Sequence, residues 1–221
     1  MTIPTIISLA PLLDRLFDEA EAARGTTHAA VADLSDADRA RMMRSKTDYR
    51  DLYGRLKDAP LAVSRETGAL LYMLARSSRA RTIVEFGTSF GISTLYLAAG
   101  LRDNGGGRLI TTEFEASKAA RARDNLSAGG LIDLVEIREG DALRTLSADL
   151  PDPIDLVLLD GAKALYPEIL DLIAGDLRPG AIIVADNADF SPDYLARVRT
   201  PRNGYMSTPF AEDVELSVRI N

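Results

Sequence analysis

The stretch Val84–Ser93, VEFGTSFGIS, passes from a short apolar strand pattern through two glycines into a helical pattern. A strand that turns at glycine into a helix is the opening unit of an open α/β sheet, whose ligands bind at the carboxyl ends of the strands. Gly87, Ser89 and Gly91 also fit the G-x-S-x-G elbow of a serine hydrolase, and the same turn suits a nucleotide loop.

Downstream, the runs TIVEF, RLITTEF, LVEIREG, DLVLLD and AIIVADN alternate with helical segments such as STLYLAAGL, ASKAARARDNL and LYPEILDLIAGDL. Such alternation predicts parallel strands joined by right-handed crossovers, hence a doubly wound sheet with helices on both faces. At the end of the chain, YMSTPF and VELSVRI flank the polar AED and predict an antiparallel hairpin closing one sheet edge, for seven strands in all. The triplet Gly105–Gly107 reads as the connection before the second strand.

Upstream, Ile6, Leu9, Leu12, Leu13, Leu16, Phe17 and Ala20 recur at helical spacing, and GTTHAAVADLS breaks the pattern. A second helix is expected from Ser35, a candidate cap, to Pro60, and a third from Ala69 to Ser77. Residues 1–60 thus form an N-terminal helical extension and residues 61–221 the α/β domain. The extension is placed to cover the sheet or to meet a second copy of the chain.

The chain has 221 residues, 46% of them hydrophobic, enough for one domain with a real core. Its net charge of −7 repels a phosphate backbone, so nucleic acid is not an expected partner. With no cysteine, disulfides, thiolate metal sites and cysteine nucleophiles are excluded. No apolar run has the length of a membrane span, and the early apolar segment lacks a preceding basic region, so a cytoplasmic protein is expected.

These constraints bear on the glycine turn. A hydrolase elbow needs a histidine base after the serine, and the single histidine, His28, precedes Ser89 in a polar breaker segment, where it reads as solvated. A dinucleotide site needs an open middle glycine, and here Ser89 and Phe90 stand where a pyrophosphate would need open backbone. Glu85 before the turn and Glu113 at the next strand end suit a donor with ribose hydroxyls and a cationic amino group but no phosphate, such as S-adenosylmethionine, and equally read as solvated turn residues after strands.

Read in order, LAVSRETGALL, VEFGTSFGIS, TTEFE, REGDAL, LLDGAKALY and VADN resemble the motifs of the class I S-adenosylmethionine-dependent methyltransferases. The resemblance is closer to their metal-dependent catechol and caffeoyl-CoA O-methyltransferase branch, and it runs from about Leu61 to the C-terminus. It implies a Rossmann-like methyltransferase fold. It also implies that Val63 and Ser64 touch the donor, that Glu85, Gly87 and Ser93 line its methionine end, that Glu113 holds the ribose hydroxyls, and that Asp141 and Ala142 border the adenine. Asp160 would lie between donor and acceptor. Relatives of the caffeoyl-CoA type imply a homodimer.

Asp160 ends one apolar strand, and Asp186 with Asn187 ends the next. Two carboxylates and an amide from neighbouring strand ends suit a hard cation such as Mg²⁺, with Ca²⁺ and Mn²⁺ as alternatives. Singly, each residue is an ordinary turn residue after a strand. The resemblance assigns metal-ligand roles to the same three positions. It also makes Lys163, in the pattern Asp-x-x-Lys, the base, and with no cysteine and no usable histidine Lys163 is the remaining candidate for proton removal.

The expected reaction is metal-assisted methyl transfer to a hydroxyl of a small molecule, with a catechol-like or phenolic acceptor. A metal-independent methyltransferase and a catalytically silent donor-binding protein remain as rivals. Tyr166, Phe190, Tyr194, Tyr205 and Met206 are candidate acceptor-pocket residues, each equally suited to packing. RVRTPR reads as a solvated basic helix face.

Overall fold

In a computed structural model of the chain, residues 3–210 and 213–221 are described. Four helices come first: α1 (Thr5–Ala22), α2 (Arg24–Ala29), α3 (Asp36–Arg44) and α4 (Tyr49–Arg55). Then follow α5 (Arg65–Ser77), β1 (Thr82–Phe86), α6 (Ile92–Asp103), β2 (Arg108–Glu113), α7 (Ala116–Ala128), β3 (Val135–Glu139) and α8 (Ala142–Thr145). The chain ends with β4 (Ile154–Leu159), α9 (Tyr166–Ile173), β5 (Leu177–Ala185), α10 (Pro192–Val198), β6 (Tyr205–Phe210) and β7 (Val214–Arg219).

The strands form one seven-stranded sheet in the order β3-β2-β1-β4-β5-β7-β6. β1 to β5 pair in parallel, and β7 runs antiparallel to both β5 and β6. The doubly wound reading and the closing hairpin are therefore both present. Two residues of the AED turn, 211 and 212, lie outside the described residues.

Alternation along the strands feeds two cores. Val84, Val157, Leu159 and Ile183 join one cluster with α9 and Tyr194, whereas Ile83, Leu156, Leu158 and Val184 join the other with α1, α5 and α6. Both sheet faces are covered, which is why β4 reads as a continuous apolar run. Leu9, Leu13 and Leu16 of α1 are buried in the second cluster, each contributing about 2 kcal/mol by removal from water. Much of the N-terminal apolar stripe is thus used within the chain.

The N-terminal segments depart from the expected breaks. GTTHAA continues as the short helix α2, with His28 exposed on it. The helix expected from Ser35 to Pro60 is interrupted after Arg44: Ser45 is extended, and its hydroxyl oxygen accepts from the Thr47 and Asp48 amides at 3.3 and 3.0 Å. A serine that satisfies local amides competes with helix continuation. Ser35 does cap α3, accepting from the Asp38 amide at 3.1 Å. Among the described residues, no helix is long and apolar enough to cross a membrane.

Candidate active site

The sheet order reverses between β1 and β4, and a crevice opens there at the carboxyl ends of the strands, as expected for this architecture. Counting the space open at its mouth, it encloses about 960 Å³. Val63, Gly87, Ser93, Glu113, Asp141, Ala142 and Asp160 all line it. These residues come from separate motifs, and the parallel strands bring them together.

Gly87 makes the turn possible. Its φ is +99°, and a Cβ there would stand 2.7 Å from the carbonyl of Asp160, so only glycine fits without movement. Beside it, Thr88 binds the Thr111 hydroxyl at 2.6 Å and donates to the Thr112 carbonyl at 2.9 Å. Ser89 donates its amide to Glu113 Oε2 at 2.7 Å, and its hydroxyl oxygen accepts from the Leu61 amide at 3.1 Å. The loop therefore fixes both the β2 carboxylate and the segment that carries Val63.

Glu85 lies beneath this loop, fully buried and outside the cleft lining. Ser93 and Thr94 donate to its two carboxylate oxygens, each at 2.6 Å. Burial pushes the Glu85 carboxyl up to about 7, against the pull of the hydroxyls around it. Ser64 is exposed and caps α5 by accepting from the Thr67 amide at 3.0 Å. Ser93 serves Glu85 and also faces the cleft.

On the far wall, Glu113 Oε1 accepts from the Glu115 amide at 2.9 Å, and burial raises this carboxyl above its ordinary range. Asp141 caps α8 through the Leu143 amide at 3.0 Å and meets Arg50 Nη2 at 3.3 Å. Arg50 also lies 6.0 Å from the centre of the Phe114 ring. Helix α4 thus closes over the β2–β3 side of the cleft.

A second cluster adjoins the cleft at the ends of β4 and β5. Lys163 Nζ donates to Asp160 Oδ1 at 2.7 Å and stands 4.0 Å from Asp186 Oδ2. Burial, and then the charge of Asp160, pushes the Asp186 carboxyl up to about 7 despite Lys163. Burial depresses Lys163, but Asp160, Tyr166, Tyr53 and Asp186 outweigh it and hold the ammonium well above its ordinary value. Asn187 has left-handed backbone, φ 47°, and donates its amide nitrogen to Asp213 Oδ2 at 2.8 Å. Its carbonyl oxygen keeps its acceptor capacity.

Tyr166 ties the two strand ends together, donating within 2.8 Å of the Leu159 carbonyl and 2.7 Å of the Asp186 carbonyl. Two carboxylates, Asp160 and Asp186, thus share one buried ammonium. This donor set has the charge deficit and oxygen chemistry that suit a hard divalent cation. Among the described residues no three His, Cys, Asp or Glu side chains converge for a metal, so a site here would rely on the Asn187 amide.

Sequence reading missed the wall supplied by α4. Tyr49, Arg50 and Tyr53 line the cleft, with the Tyr53 hydroxyl 3.4 Å from the Gly161 carbonyl. Their helical spacing was visible, but the partners lie about a hundred residues away. It also missed Lys118, which lines the cleft from α7 and whose burial shows in the spacing of Lys118, Ala119, Ala122, Asn125 and Leu126. Of the acceptor-pocket candidates, Tyr166, Tyr194 and Tyr205 are buried in the core and Met206 is exposed. In RVRTPR, Arg199 makes two hydrogen bonds, at 2.8 and 2.7 Å, to the buried carboxylate of Glu215.

A family profile described as a methyltransferase domain matches residues 84–188. The catechol O-methyltransferase of Niastella koreensis is 38% identical over 130 residues, 58% of this chain and 58% of that protein. The chain therefore spans little more than half the length of that relative. The pig catechol O-methyltransferase is 32% identical over 151 residues, covering 65% of this chain and 80% of the pig protein. An O-methyltransferase of Streptomyces achromogenes involved in tomaymycin synthesis, solved with S-adenosylmethionine, superposes with a TM-score of 0.67 at 28% identity, over 92% of this chain and 99% of its own. Strand order, the glycine turn against Asp160 and these similarities agree: the chain belongs to the class I S-adenosylmethionine-dependent O-methyltransferases.

Proposed function

We propose that the protein moves a methyl group from S-adenosylmethionine to a hydroxyl of a small catechol-like or phenolic acceptor, with a divalent cation held by Asp160, Asp186 and Asn187. The observation that carries this reading is the Asp160–Lys163–Asp186 cluster, a buried lysine between two half-buried carboxylates, placed against a cleft that Asp160 itself lines. Gly87, Ser93 and Val63 would hold the methionine end of the donor, Glu113 the ribose, and Asp141 and Ala142 the adenine.

When bound, a divalent cation would supply positive charge that favours the ionised acceptor hydroxyl, and Asp160, Asp186 and Asn187 are the residues that would hold it. Lys163, buried beside the cleft, would take the hydroxyl proton at Nζ. The acceptor oxygen then forms its bond to the methyl carbon as the carbon–sulfur bond breaks and the thioether leaves. Tyr53 and Gly161 line this side of the cleft, the Tyr53 hydroxyl 3.4 Å from the Gly161 carbonyl.

A metal-independent reading is favoured by one observation: Lys163 already lies between the two carboxylates as their counter-ion. Incubation with methyl-labelled donor and catechol, with Mg²⁺ and then with chelator, separates the two. Label transfer lost on chelation and restored by added Mg²⁺ is expected. Transfer that persists in chelator removes the cation from the mechanism, and donor binding with no transfer to any hydroxylated acceptor removes the enzyme reading.

A further inference from the structure

The Asp160–Gly161 peptide is hemmed in from two sides. A Cβ on Gly87 would stand 2.7 Å from the Asp160 carbonyl and from the Gly161 nitrogen, and a Cβ on Gly161 would stand 2.5 Å from the Phe86 ring. The Asp160 amide also donates to the Phe86 carbonyl at 2.8 Å. With no room to shift on these sides, the Gly161 carbonyl is a fixed acceptor. Gly161 lines the cleft, and Tyr53 reaches its carbonyl from α4.

Tyr53 meets that carbonyl at 3.4 Å, well beyond the roughly 2.7–2.8 Å usual when a hydroxyl donates to oxygen. The phenol therefore commits little of its proton to the protein, and among the described residues no group donates to its oxygen. Burial holds the phenol above its ordinary range, against the pull of Lys163 and with a further push from Asp160 and Asp186, so the hydroxyl keeps its proton in the field of that cluster. A donor and an acceptor, both under-used, thus stand together at the turn that carries Lys163.

Tyr49, Phe86, Ala162 and Leu165 line the cleft with them and give the wall an apolar character. A cation would suit only the carbonyl, and a ketone or ether only the phenol. A neutral hydroxyl suits both, because it can accept from Tyr53 while donating to Gly161. We infer that the Tyr53 hydroxyl and the Gly161 carbonyl bind a second hydroxyl of the acceptor, beside the one presented to Lys163. Tyr53 is then a specificity-determining residue that favours acceptors with two neighbouring hydroxyls on an apolar ring. The inference rests on the proposed methyl transfer to a small hydroxylated acceptor and narrows the acceptor class.

The test compares the wild-type protein with Tyr53→Phe, which removes one oxygen and keeps the ring. The KM is measured for catechol and for phenol, or the inhibition constant for an acceptor that turns over too slowly. The variant should lower the preference for catechol over phenol about five- to tenfold, the loss of one hydrogen bond. A preference equal to that of wild type, whether neither acceptor is weakened or both are weakened alike, overturns the inference. So does a fall in S-adenosylhomocysteine affinity as large as the fall in preference, since Tyr53 would then serve the donor. Absence of methyl transfer from the wild-type protein to either acceptor overturns the acceptor reading itself, which tells the two failures apart. Thermal unfolding of the variant confirms that folded protein is compared.

Discussion

Lys163, in the turn after β4, reaches back 2.7 Å to Asp160, the residue that follows the last position of that strand. The lysine is buried and its half-buried partner lines the cleft, so its partners decide whether the lysine holds or releases a proton. Replacing Lys163 with alanine should leave S-adenosylhomocysteine affinity nearly unchanged and slow single-turnover methyl transfer by about 10²- to 10⁴-fold. Unchanged turnover would show that another group takes the proton.

Asp186 shares that ammonium and brings its own charge to the site. Asp186→Asn should raise the Mg²⁺ concentration needed for half-maximal turnover by about tenfold or more, while donor binding without metal stays within about twofold. Equal Mg²⁺ requirements in the two proteins would exclude Asp186 as a ligand.

Glu85 predicts a pH dependence of folding. Its carboxyl is pushed from the ordinary 4.5 to about 7, so the folded protein keeps a proton that the unfolded chain releases. This contribution is whole below about pH 4.5 and is lost as pH rises through about 7, amounting to about 3 kcal/mol at the high end. Urea unfolding between pH 5 and 8 should show this fall in the wild-type protein and a flatter profile in Glu85→Gln. The same slope in both would assign the effect to other groups.

Gly87→Ala should lower Tm by about 4–8 °C, corresponding to about 2 kcal/mol. The added methyl meets the Asp160 backbone in a conformation that side chains rarely adopt. Donor affinity should fall with it, because the loop and Asp160 line the same cleft. A melting curve that matches wild type would mean that the loop relaxes freely.

The sheet was legible because its signals are local. Glu113 and Asp186 could be placed at strand ends from apolar runs that stop abruptly, and all seven runs are strands. Ser35 was legible as a cap for the same reason. The roles of Ser64 and Glu85 were less so: a serine before a helix and a glutamate before a glycine turn carry no mark of whether they face a ligand or the protein. Arg50 was invisible, since its partner Asp141 is 91 positions away, and no local pattern encodes such a contact. Lys118 stood in plain view, but a lysine among alanines on a helix is read as solvated unless the spacing of its neighbours is followed around to the buried face.

The reversal of strand order between β1 and β4 divides this protein into two wings. β1, β2 and the loops after them carry Gly87, Ser93 and Glu113, while β4, β5 and the turns after them carry Asp160, Lys163, Asp186 and Asn187. The wings meet where Gly87 lies against the backbone of Asp160. Beyond β5 the closing hairpin pairs with the sheet through β7, at the edge of the second wing. The crevice is therefore a seam between two halves of one sheet, closed by backbone contact.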